Sequence, residues 1–189
     1  MAKVGVIGGS GVYQIDGLEK VDQVSLLTPF GQPSSNYTTG QLEGVDVVFL
    51  PRHGKGHRIS PSEINYRANI FGMKKLGVSA IISVSACGSL KTELKPLDFV
   101  VPDQLVDHTY KRETSFFTDG IVVHVALAEP FSPEVRKVLV NSVKQLGLTV
   151  HDGGTYINME GPQFSTKAES NLYRSWGIDI IGMTNATEA

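Results

Sequence analysis

Four strand-type residues, Val4-Gly5-Val6-Ile7, lead straight into Gly8-Gly9-Ser10-Gly11, and no other stretch restricts the fold more. An apolar run of this kind fits a strand inside an α/β sheet, covered on both faces. Glycines just past its C-terminal end let backbone N–H groups close on an anion, since no Cβ stands in the way. Phosphate handling at the carboxyl edge of a sheet is therefore the leading expectation. A dinucleotide fingerprint does not fit, because Gly9-x-Gly11 would need glycine or alanine at position 14, where Gln14 stands. A free-phosphate turn with Ser10 as donor and a purely structural glycine turn both stay open.

The strand-then-turn pattern recurs. Residues 45–50 form an apolar run that Pro51 ends, followed by Arg52-His53-Gly54-Lys55-Gly56-His57-Arg58. Residues 78–84 form another, ending in Ser85-Ala86-Cys87-Gly88-Ser89. Between them Ser60-Pro61-Ser62-Glu63 predicts a helix start with a capping box. That helix should run to about Leu76, burying Ile64, Ala68, Phe71 and Leu76, with Gly77 as its stop. Strand, helix, strand implies a parallel crossover.

Further strands are expected over 21–27, 37–42, 97–102, 148–150, 155–159 and 178–183, and a long polar loop over 103–120. Ser132-Pro133 opens a helix with Val135, Val138, Leu139 and Leu146 on its apolar face. Thr166 and Glu169 form a capping box for a helix that should bury Ala168, Leu172, Tyr173 and Trp176. Asn185-Ala186-Thr187-Glu188 has the spacing of one more helix start, where a single turn cannot stabilise itself. The expected fold is α/β, a mixed and largely parallel twisted sheet with flanking helices, in one domain over 1–189.

Composition narrows the partners. A hydrophobic fraction of 41%, a charged fraction of 19% and a net charge of −2 are those of a soluble globular protein without a broad basic surface. Nucleic acid is not the default partner, and no run is long enough to span a bilayer. The first residues lack the apolar length of a signal peptide. One cysteine cannot make an internal disulfide, which fits a reducing compartment. The expected location is cytoplasmic.

Several residues at strand ends carry candidate chemistry. Arg52 and His53 read as a solvated basic loop or as an anion clamp, Arg offering a planar fork of donors. A metal site from His53 and His57 fits poorly, because i, i+4 ligands align only on a helix and Gly54 and Gly56 argue against one. Cys87 reads as a small buried thiol rather than a nucleophile. Ser85 and the N–H groups after it are better anion donors. Phe164, after Glu160-Gly161-Pro162, reads as a core aromatic or as a ring that stacks on a base. Met183 and Thr184 close the last strand as core and cap, or as ligand contacts.

The set as a whole resembles the purine nucleoside phosphorylase superfamily, trimeric branch. The motifs are IGGSG at 7–11, TPFGQPS at 28–34, RHG at 52–54, NYRANI at 65–70, ACGSL at 86–90, DQLVDHT at 103–109, AEPF at 128–131, EGPQFST at 160–166 and GMTNATEA at 182–189. Within it the resemblance is nearest to members that cleave S-methyl-5′-thioadenosine to adenine and 5-methylthioribose 1-phosphate. It implies inorganic phosphate as co-substrate, with no cofactor and no metal. Phosphate contacts would be Ser10, Arg52, His53, Ser85, the Ala86 backbone and Thr184. Met183 would lie under the ribose, and Phe164 and Ser165 would meet the purine. Ser165 stands where 6-oxopurine branches carry Glu, which favours a 6-aminopurine. His124 would serve the 5′-alkylthio group of a neighbouring subunit in a homotrimer. The Asp that protonates N7 in the family falls beyond Ala189, so these 189 residues are expected to lack normal turnover. Phosphorolysis of methylthioinosine, adenosine or inosine, and a non-catalytic nucleoside- or phosphate-binding remnant, are the alternatives.

Overall fold

The computed structural model describes residues 3–9 and 16–189, which divide into two compact units. One unit takes in Met1–Ala86, Glu113–Phe116 and Glu188; the other takes Cys87–Arg112, Phe117–Thr187 and Ala189. Ser10, Gly11 and Gln14 lie outside the described residues.

The first unit holds β1 (Lys3–Gly8), β2 (Glu19–Val24), β3 (Tyr37–Leu42), β4 (Val45–Pro51), α1 (Tyr66–Lys75) and β5 (Val78–Val84). Its sheet has the order β2-β3-β4-β1-β5. β1 runs parallel to β4 and β5, whereas β3 is antiparallel to β4 and β2 to β3. The chain thus leaves β4, crosses through α1 and returns on the far side of β1, as the strand-helix-strand pattern implies. Glu43 and Gly44, both at positive φ, turn the hairpin between β3 and β4. Val47 to Leu50 are all buried, but β5 at the sheet edge is only half-buried, less than its apolar sequence predicts.

Ile7, Tyr37, Val48, Leu50 and Met73 form the core beneath α1. The Tyr37 hydroxyl lies within hydrogen-bond distance of the carbonyls of Ala68 and Asn69, at 3.1 and 2.9 Å. Burial raises its pKa. A Cβ on Gly72 would sit 2.0 Å from that hydroxyl, so the close approach of ring and helix requires glycine there.

α1 starts later than Ser60-Pro61 suggests. Ser60 does bond Glu63, through its N–H and its hydroxyl, but these residues form a turn. The N-cap is Asn65, whose side chain accepts from the Ala68 N–H. The same side chain donates to the Phe30 carbonyl at 2.6 Å. That tertiary anchor fixes the first helical turn five residues downstream of the local signal.

The second unit holds β6 (Gly88–Ser89), β7 (Phe99–Val101), β8 (Gln104–His108), α2 (Pro133–Gln145), β9 (Val150–Asp152), β10 (Thr155–Met159), α3 (Lys167–Ser175), β11 (Ile180–Gly182) and most of α4 (Asn185–Glu188). One sheet has the order β6-β11-β10-β8, with β10 parallel to both β8 and β11. β7 and β9 pair separately, in parallel. β8 lies within the stretch expected to be loop. Leu90, Ile157, Met159, Tyr173, Ile178 and Ile181 make the core.

Ser132 caps α2 and the Thr166–Glu169 capping box opens α3, both as expected. The buried faces are narrower than the spacing predicts. Val140 is buried on α2 and Tyr173 on α3, while Val138, Leu146, Leu172 and Trp176 are exposed. An apolar stripe is buried only where another element covers it, and the strands that α2 packs on are the short β7 and β9. No helix among the described residues is long and apolar enough to cross a membrane.

Candidate active site

In the first unit the register alone assembles a carboxyl edge. Gly8 pairs with Pro51 of β4 and with Val84 of β5. The next residue on each strand, Gly9, Arg52 and Ser85, therefore emerges side by side. The Arg52 N–H donates to Gly8 O at 3.0 Å and the Gly9 N–H to Val84 O at 3.2 Å, carrying the ladder one step past the strands. These are the residues that the sequence singled out as an anion turn, a clamp and a donor set.

Arg52 is not solvated. Its side chain is fully buried and folds back over the sheet edge. Nη1 donates to Val84 O at 2.8 Å, and Nη2 bonds Ile7 O and the Ser83 hydroxyl. The guanidinium also forms a two-point pair with Glu188, and Ser83 donates to the same carboxylate. Fork geometry and added hydrogen bonds offset the cost of taking both charges out of water. Nη1 lies against Gly9, where an added Cβ would stand 3.1 Å from it.

His53 is buried beside it, with Nδ1 2.8 Å from the Ile59 carbonyl. A carbonyl only accepts, so Nδ1 carries the hydrogen, and in the neutral ring Nε2 keeps the lone pair. Burial lowers the His53 pKa most, and the nearby His57 and Arg52 push the same way; the Ile59 bond opposes them. The His53 and His57 rings stack with centroids 4.1 Å apart. The solvated-loop reading holds only for Lys55, His57 and Arg58, which are exposed. Among the described residues no group of three or more His, Cys, Asp or Glu could hold a metal. Cys87 is exposed rather than buried, and desolvation raises its thiol pKa, which disfavours a thiolate.

The second unit builds its own edge. Asn158 of β10 pairs with Gly182 of β11, so Glu160 and Thr184 follow two residues beyond. Met183 is half-buried and Thr184 buried. The Thr184 N–H donates to the Tyr156 hydroxyl at 3.3 Å, and the Ala186 N–H to Asn158 Oδ1 at 3.1 Å. Phe164 is 82% exposed, which removes its core reading and leaves a free ring face. Ser165 shares a 2.8 Å hydroxyl pair with Ser170 of α3. His124 sits exposed in an irregular stretch beside exposed Ile121, Val122, Val123, Val125 and Leu127.

Sequence reasoning missed the groups that hold these residues in place. Glu188 was legible only as the acid of a helix start, although an Arg just past a buried strand calls for a carboxylate. Arg112 and Glu160, a second buried pair, lay in a stretch taken as loop and in a strand breaker.

The profile of the family described as "Phosphorylase superfamily" matches residues 3–189. The S-methyl-5′-thioadenosine phosphorylases of Koribacter versatilis and Geobacter sulfurreducens are each 56% identical to the chain, over 188 and 187 residues. These alignments cover 100% and 98% of this chain, and 64% and 65% of the relatives. A solved methylthioadenosine phosphorylase from an antarctic soil metagenomic library matches with a TM-score of 0.96 at 50% identity, over 99% of this chain and 66% of that one. The Schistosoma mansoni methylthioadenosine phosphorylase, solved in complex with adenine, matches with a TM-score of 0.95 at 39% identity, over 100% and 76%. The chain therefore spans just under two thirds of the length of the two curated relatives.

Proposed function

We propose that this chain, which belongs to the phosphorylase superfamily, is the larger part of a cytoplasmic enzyme that phosphorolyses S-methyl-5′-thioadenosine. The products would be adenine and 5-methylthioribose 1-phosphate. The observation that carries this reading is 56% identity, across the whole chain, to phosphorylases of that nucleoside. Residues 1–189 are read as one nucleoside phosphorylase domain, with inorganic phosphate as co-substrate and no cofactor.

The geometry supports the reading in each unit. In the first, Arg52, His53, Ser85 and the Ala86 backbone follow parallel strand ends and are proposed phosphate contacts; Ser10, outside the described residues, is proposed with them from the sequence alone. Neutral His53 would offer Nε2 as an acceptor to a phosphate hydroxyl. In the second, Thr184 is proposed for phosphate, Met183 for the ribose, and Phe164 with Ser165 for the purine. His124 is proposed to serve a neighbouring copy in a homotrimer. A phosphate oxygen bonds C1′ while the C1′–N9 bond breaks, and the bond pair leaves with the base. Holding the anion under C1′ is catalysis by positioning and electrostatics. Protonation of N7 is assigned to none of these residues.

The test is phosphate-dependent adenine release from methylthioadenosine, with methylthioinosine, adenosine and inosine alongside. It is run on the 189-residue chain and on a chimera that adds the last third of the Koribacter versatilis relative. The chimera is expected to turn over methylthioadenosine fastest, and the 189-residue chain at least about a hundredfold more slowly, a barrier difference of ~2.7 kcal/mol. A folded chimera that releases no adenine would overturn the proposal.

A further inference from the structure

Arg112 belongs to no helix or strand, yet its side chain is only 1% exposed. Its guanidinium reaches both strand ends of the second unit. Nη1 donates to the Met183 carbonyl at 2.6 Å and to the Thr187 hydroxyl at 3.0 Å. Nη2 donates to the Glu160 carbonyl at 2.7 Å, and Nε approaches Glu160 Oε1 at 3.3 Å. The other Glu160 oxygen accepts the N–H groups of Tyr110 and Lys111, at 2.8 and 3.1 Å, which fixes the backbone that delivers Arg112.

The placement has a physical reason. The ladder between β10 and β11 ends at Asn158 and Gly182, and beyond it the carbonyls of Glu160 and Met183 lose strand partners. A buried carbonyl without a partner is costly, so something must bridge the gap. A planar fork can serve two carbonyls and a carboxylate at once; an ammonium cannot match that geometry. The Met183 side chain is held from the other side, for a Cβ on Gly161 would stand 2.6 Å from its Sδ.

We propose that Arg112 is a positioning residue, setting the place and orientation of Met183 at the splayed end of β11 for nucleoside binding. The inference rests on the preceding reading for Met183 as a ribose contact. The Met183 carbonyl and the Thr184 N–H belong to one planar peptide, which Arg112 holds at its oxygen and the Tyr156 hydroxyl at its N–H.

The experiment follows Met183 directly. The chain is labelled with [methyl-13C]methionine, and the Met183 line is assigned with Met183→Leu. The probe is methylthioadenosine. Arg112→Lys keeps the buried charge but not the fork. It is expected to displace the unliganded Met183 line while the Met73 and Met159 lines stay in place. It should also weaken methylthioadenosine binding by about tenfold or more. An unmoved Met183 line in folded Arg112→Lys would overturn the proposal, as would an unchanged affinity for methylthioadenosine. Thr187→Val, which removes one partner of Arg112 and no charge, serves as a second variant if Arg112→Lys does not fold. It should move the Met183 line in the same direction by less. If the unsubstituted chain binds no nucleoside, the ribose reading fails, while the unliganded Met183 line still decides the role of Arg112.

Discussion

Arg52 and Glu188 pose the sharpest problem at the residue scale, two opposite charges that are both almost wholly out of water. Removing one partner leaves the other charged and buried. Glu188→Gln is accordingly expected to cost about 3–5 kcal/mol of stability, read as a lowered urea midpoint at unchanged slope. The double variant Arg52→Met with Glu188→Leu should recover much of that loss, because an apolar pair carries no desolvation penalty. A Glu188→Gln chain as stable as the parent would show that water reaches the pair.

His53 gives a pH-dependent counterpart. Its folded pKa lies below the unfolded value of about 6.5, mainly because the ring is buried. Between the two values the unfolded chain binds a proton that the folded chain refuses. The contribution of His53 is therefore fully present above about pH 6.5 and is lost as pH falls through that interval. His53→Asn can still offer a side-chain N–H to Ile59 but has no titration there. Thermal melts at pH 7.5 and 5.5 should show the parent losing more than His53→Asn; parallel losses would count against a buried neutral ring.

Among the elements, α1 shows how tightly a helix can be seated. The Tyr37 hydroxyl occupies the place a Gly72 side chain would take, so Gly72→Ala must push the helix off the sheet. Overpacking of this kind costs about 1–3 kcal/mol and should lower the melting temperature while far-UV circular dichroism stays helical. At α3 the capping box is the local signal, and Thr166→Ala should cost about 1 kcal/mol.

The same elements mark what could be read beforehand. β3, β5 and β10 fell where expected because apolar and β-branched runs bounded by breakers are local properties. The start of α1 was misplaced because Asn65 is fixed by Phe30, 35 residues away. β8 was missed because Gln104, Asp107 and His108 carry little strand preference, and each residue of it pairs with a residue of β10 that comes 51 positions later. Arg52, His53 and Ser85 were legible as site candidates from their places after strands. Glu188 and Arg112 were not, since nothing local says which distant cation a carboxylate will meet.

For the whole molecule the open quantity is the number of copies. Residues 121–127 read Ile-Val-Val-His-Val-Ala-Leu, and Val122 and Val125 are 81% and 68% exposed. Single exposed apolar residues need no explanation, but a contiguous run of them marks an interaction surface. His124 lies within it, and a homotrimer in which this segment meets a neighbouring copy would cover the valines and deliver the imidazole together. Sedimentation equilibrium should then return three times the mass of one chain at micromolar concentration. Val122→Asp combined with Val125→Asp should return the single-chain mass, since an unpaired carboxylate does not enter an apolar interface without a large desolvation cost. Circular dichroism of the variant should match the parent, because both side chains face away from the core in the isolated chain. A parent that sediments as one chain, or a doubly charged variant that stays trimeric, would locate the contact elsewhere and take His124 out of the neighbouring site.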